Sequence, residues 1–253
     1  MKALITVIHL TLLQIIKSKI FYLSLVLSLF LAVAVILFSD ISLGQNIRII
    51  QNFGLAGTFL LAVLISILAS ANIIGNEQQR GNIYLLKTKP VADLTYITGK
   101  FLGLTFGLLI IYLFSFLLVF AGASIFYEIN TTQIIAPFVL SFLEIAILIA
   151  VAVLFSSFST ALFASILTLA IFFLGHSLDL IRSATTDSGF FLESVGQLVY
   201  YTLPNLEKFN LRETISNLPN LPTTYYWWTV IYASAYIIFC LCLSVIASNK
   251  REW

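Results

Sequence analysis

Apolar stretches of about 20 residues, divided by short polar ones, occupy most of the chain. Six can be marked, at 20–38, 53–74, 101–126, 133–155, 158–178 and 227–247. A helix rises about 1.5 Å per residue, so each run is long enough to cross a hydrocarbon core of about 30 Å. The pattern predicts six spanning helices. Only Ser156 and Ser157 separate the fourth run from the fifth, which predicts an antiparallel hairpin there.

Two segments follow other patterns. In residues 1–17, Leu4, Ile5, Ile8, Leu12, Ile15 and Ile16 share one face of a helix, and Lys2, Thr6, His9 and Lys17 share the other. This predicts an amphipathic helix lying in the membrane interface. The first long run begins too late for a signal peptide and lacks a small-residue cleavage site, so it reads as a retained span. Residues 180–225 contain Pro204, Pro219, Pro222 and several Asn. A short helix over 190–201 and a turn at Thr202-Leu203-Pro204-Asn205 are expected, in a segment too short to form an enzyme domain.

Composition agrees with this reading. Of 253 residues, 60% are hydrophobic and 9% charged, with a mean hydropathy of +1.04. A soluble chain carries about 25% charged residues. The class is an all-α polytopic membrane protein. A net charge of +2 gives no reason to expect a nucleic-acid partner. The charges do set an orientation. Lys2, Lys17, Lys19, Arg80, Lys87, Lys89, Lys100, Lys250 and Arg251 fall on one side, and Arg48, Arg182, Lys208 and Arg212 on the other. The richer side is cytoplasmic. Both termini and residues 75–100 are therefore expected inside, and 180–225 outside.

Candidate chemistry is sparse. Thr98-Gly99-Lys100 resembles the end of a phosphate loop, but the positions that need a Gly and a Ser or Thr hold Leu94 and Phe101. No nucleophile motif is present, and an intramembrane enzyme is disfavoured. His176 and Asp179 are three apart and can touch, but two residues do not make a metal site. Cys240 and Cys242 point about 200° apart on one helix and read as small apolar side chains. Glu144 lies deep in the fourth run, so it faces a pathway or a helix interface, or is a hydrogen-bonded structural residue. Gly99, Gly103 and Gly107 form a smooth stripe suited to close helix packing.

Residues 75–103 collect six charges in a chain that has few: Glu77, Arg80, Lys87, Lys89, Asp93 and Lys100. A helix over about 78–88 would expose Ile83, Tyr84 and Leu86 beside cations, with Pro90 ending it and Asp93 capping the next helix. An apolar knob with a charged rim suits a subunit contact.

The order Glu77, Gly81, Leu85, Leu86, Pro90, Gly99 and Lys100 resembles the permeases of ABC-2 type exporters. The stretch YYTLPNLEKFNL, residues 200–211, is similar to the permease subfamily described for multicopper-enzyme maturation. The resemblance implies a permease subunit of an ATP-binding cassette exporter in the bacterial inner membrane. It implies a second permease copy or a paralogue, and a separate ATPase subunit that carries ATP and Mg, with no cofactor in this chain. It makes the cytoplasmic segment a coupling helix, with Glu77, Arg80, Gly81, Ile83, Tyr84, Leu86 and Lys87 as contact residues. A membrane signalling or immunity protein that moves nothing is the alternative reading.

The orientation is open to a direct test. With Cys240 and Cys242 replaced, a membrane-impermeant thiol reagent applied outside should modify a Cys at Asn210 and spare one at Gln79; the reverse pattern would invert the topology.

Overall fold

The computed structural model describes residues 2–41, 45–79, 92–128, 132–186, 190–212 and 222–249. Within them the chain forms α1 (Lys2–Ile16), α2 (Lys19–Ile41), α3 (Asn46–Gln79), α4 (Asp93–Ser124), α5 (Thr132–Ser156), α6 (Ala161–His176), α7 (Leu178–Thr185), α8 (Phe190–Thr202) and α9 (Thr223–Asn249). A 3₁₀ turn covers Glu207–Phe209. No strand occurs among the described residues. The protein is an all-α polytopic membrane protein: α2, α3, α4, α5 and α9 are long and apolar enough to cross a bilayer.

The fifth apolar run, expected over 158–178, is broken near its end. It is α6 followed by α7, with a bend of 63° between them. Apolar composition continues across the break, but backbone geometry changes at Ser177, whose N–H donates to Leu174 O at 3.0 Å.

The bundle is built around α5, which packs on α3, α4, α6 and α9. Its apolar window is 67% buried, against 22% for α2 and 17% for α9. The peripheral helices leave residues such as Phe30, Leu37, Trp227 and Ile238 exposed, as lipid-facing surfaces require. Spans α2 and α4 are joined by a hydroxyl pair, Ser28 Oγ to Ser115 Oγ at 2.5 Å. Ser157 and Ser244 make a similar pair at 2.5 Å between the end of α5 and α9. In an apolar medium such small polar contacts hold helices together where burial against lipid supplies little.

The stripe Gly99–Gly103–Gly107 is the seat of α1. A Cβ at Gly99 would meet Val7 at 2.8 Å, one at Gly103 would meet Thr11 at 2.6 Å, and one at Gly107 would meet Ile15 at 2.4 Å. The offset is constant, so α1 runs in the same direction as the first turns of α4. Lys100, only 4% exposed, ties the pair further by donating to Gln14 Oε1 at 2.9 Å. The buried face of α1 is Val7, Thr11 and Ile15. That line is rotated by about a quarter turn from the centre of the expected apolar face, and Ile5 and Ile16 remain exposed. Asp93 also departs from its expected part: Ala92 is the N-cap residue of α4, and Asp93 lies in the first turn. There its charge favours the positive helix end without a capping bond.

Two alanine substitutions separate close approach from helix propensity. At Gly103 a methyl would clash with Thr11 and with Ile8 O at 3.0 Å, so Gly103→Ala should lower stability by about 1–3 kcal/mol. At Gly122 a Cβ meets only Ile36 Cδ1 at 3.5 Å, so Gly122→Ala should be neutral or stabilising. Thermal unfolding of the purified protein in detergent reads both.

Candidate functional site

The end of the bundle that carries the α2–α3, α4–α5 and α6–α9 connections is here called the far end. Its centre is an irregular segment. Pro204, Asn205, Leu206, Phe209, Leu211 and Arg212 are buried although the chain forms no α-helix there. Irregular backbone at membrane depth persists only where protein satisfies its polar groups. Here α9 and α6 do so. The Tyr236 hydroxyl donates to Thr202 O at 3.3 Å, and the Tyr225 hydroxyl donates to Lys208 O at 2.6 Å. The Asn205 N–H donates to the Tyr232 hydroxyl at 2.8 Å, and the Leu206 N–H donates to Gly175 O at 3.1 Å. Tyr225, Tyr232 and Tyr236 are seven and four residues apart, a spacing that puts them on one helix face. Gly175 permits the approach, because a Cβ there would meet Leu206 Cγ at 2.7 Å and Pro204 O at 2.8 Å.

This plug brings charge to Glu144. The Glu144 side chain is wholly buried in α5. Its Oε1 lies 2.7 Å from His176 Nε2, and its Oε2 accepts from Arg212 Nη2 at 3.4 Å. The other ring nitrogen of His176 is 2.9 Å from Glu207 Oε2. Asn210 links the two sides, donating to Glu207 Oε1 at 3.0 Å and accepting from Arg212 Nε at 3.1 Å. The Arg212 guanidinium also lies 3.5 Å from the ring centre of Phe59 on α3, a cation–π contact in a dry setting. An isolated buried carboxylate costs several kcal/mol, and this set of partners offsets it.

Of the expected site residues, Glu144 is at the centre of this cluster. His176 does not use Asp179: both ring nitrogens are directed at Glu144 and Glu207. The two carboxylates therefore lie on opposite sides of the ring and cannot share one ion with a single ring nitrogen. Gly99, Gly103 and Gly107 are at the other end, under α1. Glu77 falls in the last turns of α3, while Arg80, Gly81, Ile83, Tyr84, Leu86 and Lys87 lie outside the described residues. Arg212, Glu207 and the tyrosine face of α9 were not singled out from the sequence. The one signal pointing to them was the 200–211 stretch, which contains Glu207 and ends beside Arg212.

A second feature lies between α3 and α6. It is a cavity of about 770 Å³, open on one side, with Leu64, Ile67, Leu68 and Ile166 among its walls. Asn72, Thr160 and Ser165 place polar groups along it.

Apolar helices with exposed outer faces, an ionic cluster around a wholly buried carboxylate and a groove open on one side make up a polytopic membrane bundle. The model of the ABC-2 family transporter protein matches residues 8–176, well over half of the chain, and the chain belongs to that family. It is thus a multi-pass membrane protein, a permease component of an ABC transporter. No curated protein matches it. The family match ends at His176, so the plug and α9 lie beyond it.

The cluster predicts an unequal mutational series. Arg212→Gln leaves Glu144 without its guanidinium and should destabilise by about 3–5 kcal/mol. Glu144→Gln removes the charge with its shape kept and should cost less. The double variant should recover part of the Arg212→Gln loss, a non-additivity that thermal unfolding in detergent would reveal. Strict additivity would show that the two do not interact.

Proposed function

We propose that the chain is the pathway-forming subunit of an ATP-driven exporter in the bacterial inner membrane. Two copies, or one copy and a paralogue, enclose the pathway. A separate ATPase subunit, holding ATP and Mg, docks on the segment between α3 and α4. Membership of the ABC-2 family carries this reading.

Three features support it. Helices α3 and α4 have 34 and 32 residues, about 50 Å each, and exceed a hydrocarbon core of about 30 Å. Gln, Asn and Thr gather at the ends of both helices that lead into residues 80–91, which supports a cytoplasmic contact segment there. The groove between α3 and α6 is open on one side and is completed by a second copy facing it. Its few polar groups among aliphatic walls suit an amphipathic cargo. In this reading the termini are cytoplasmic, the far end is extracytoplasmic, and the plug closes the outer end of the pathway. Closure of the ATPases presses on the coupling segments and changes the width of the groove, a two-state mechanism.

The test lies in Tyr84 and Leu86. Replacing both by Ala should cost about 2–5 kcal/mol of ATPase binding and lower co-purification about 30-fold or more. Lys87→Ala should matter less, and its effect should fade with salt. The double variant should still insert and dimerise, since neither residue lies in a span. Full ATPase association together with full transport would reduce the segment to a loop that only sets topology.

A further inference from the structure

His176 makes two contacts that its neutral ring cannot satisfy together. Nε2 is 2.7 Å from Glu144 Oε1, and Nδ1 is 2.9 Å from Glu207 Oε2. An ionised carboxylate only accepts hydrogen bonds, and a neutral imidazole donates from one nitrogen. Both contacts hold only when the cluster carries one proton more than a neutral ring and two carboxylates contain. With that proton, Glu144, Glu207, His176 and Arg212 sum to zero charge. Without it, a net negative charge remains around the wholly buried Glu144 carboxylate.

We infer that the cluster is a proton-binding site open to the far-end solvent, and that loss of its proton releases the turn Glu207–Phe209, so that the plug is a proton-held latch. The inference rests on the orientation proposed above, with the far end outside. Access follows from burial: the His176 side chain is 21% exposed and that of Glu207 45%, whereas Glu144 is closed off. The same difference decides which contact breaks. Glu144 is held in place by Arg212 as well, so a neutral His176 keeps its N–H on Glu144. The Nδ1 lone pair then faces the Glu207 carboxylate, two acceptors oppose each other, and Glu207 moves toward water. Asn210 still donates to Glu207 Oε1 and the Tyr225 hydroxyl to Lys208 O, but these are neutral bonds that replace neither the proton nor its charge. α4 brings Tyr112 within electrostatic reach of Glu144 and Arg212, and α9 brings Tyr225 and Tyr232, with Lys208 over the Tyr232 ring at 4.8 Å. Phenols and ammonium groups ordinarily titrate near pH 10, above the histidine range. α3 and α6 contribute the uncharged rings of Phe59 and Phe172.

The test reads access to Leu211, which is 6% exposed and follows the turn by two residues. In intact cells expressing the Cys240→Ala, Cys242→Ala chain, Leu211→Cys is labelled with an impermeant maleimide. The rate is divided by that of Ser183→Cys, an exposed position on α7 that corrects for ionisation of the thiol itself. Between about pH 5 and about pH 9 the ratio should rise roughly tenfold, the equivalent of one charge-assisted hydrogen bond. Glu207→Gln should hold the ratio low and flat, because its amide donates to the neutral ring. A flat ratio in the parent, or an unchanged rise in Glu207→Gln, overturns the latch. An unlabelled Ser183→Cys overturns the orientation instead, and with it the outward-facing permease.

Discussion

A carboxylate in the middle of the most buried span sets the terms for the far end. On α5 the neighbours Ile145 and Leu148 are buried and unable to pair with a charge, and Ser141, one turn away, is a neutral hydroxyl. Compensation has to come from other elements, and it comes from His176 and Arg212. Arg212 can reach Glu144 only if the chain before α9 turns back into the bundle. That return carries irregular backbone into an apolar region, which is tolerated only with internal hydrogen-bond partners. The tyrosine face of α9 and the bare backbone of Gly175 follow from this need. One ionisable side chain thus accounts for a glycine, three tyrosines and a buried loop on three other elements.

The parts of this arrangement differ in how far the sequence reveals them. Helix positions follow from the length of apolar runs, because the bilayer imposes one physical requirement on all of them. Glu144 stands out for the same reason, being a charge where the medium disfavours one. Its partners do not, since they lie 32 and 68 residues away, and Glu207 and Arg212 look like ordinary loop charges. Periodicity places a helix over α1 but not the face that meets protein. The glycines of α4 decide that by offering a groove in which Val7, Thr11 and Ile15 fit. The bend after His176 is hidden because Leu178 and Ile181 continue the apolar run past it. A pattern of hydrophobicity records burial and is blind to direction.

Within the proposed permease, α3 is the element common to both ends. Its last turn leads into the coupling segment, its middle lines the groove with Leu64, Ile67, Leu68 and Asn72, and Phe59 lies under Arg212. Near the far end its neighbours approach the backbone closely. A Cβ at Gly54 would meet Val119 at 3.0 Å, and one at Gly57 would meet Leu31 at 2.7 Å. Bare glycine backbone packed against neighbouring side chains makes this the side about which α3 would turn. Along the axis, Phe59 is about 3 Å from Gly57, while Asn72 is about 22 Å away. A tilt imposed at the coupling end therefore moves the groove several times farther than it moves Phe59. In the proposed ATP-driven cycle the groove would follow the ATPase directly and the ionic cluster hardly at all. On that reading, opening of the far end would depend on what disturbs the cluster itself, and the proposed latch assigns that part to the proton on His176.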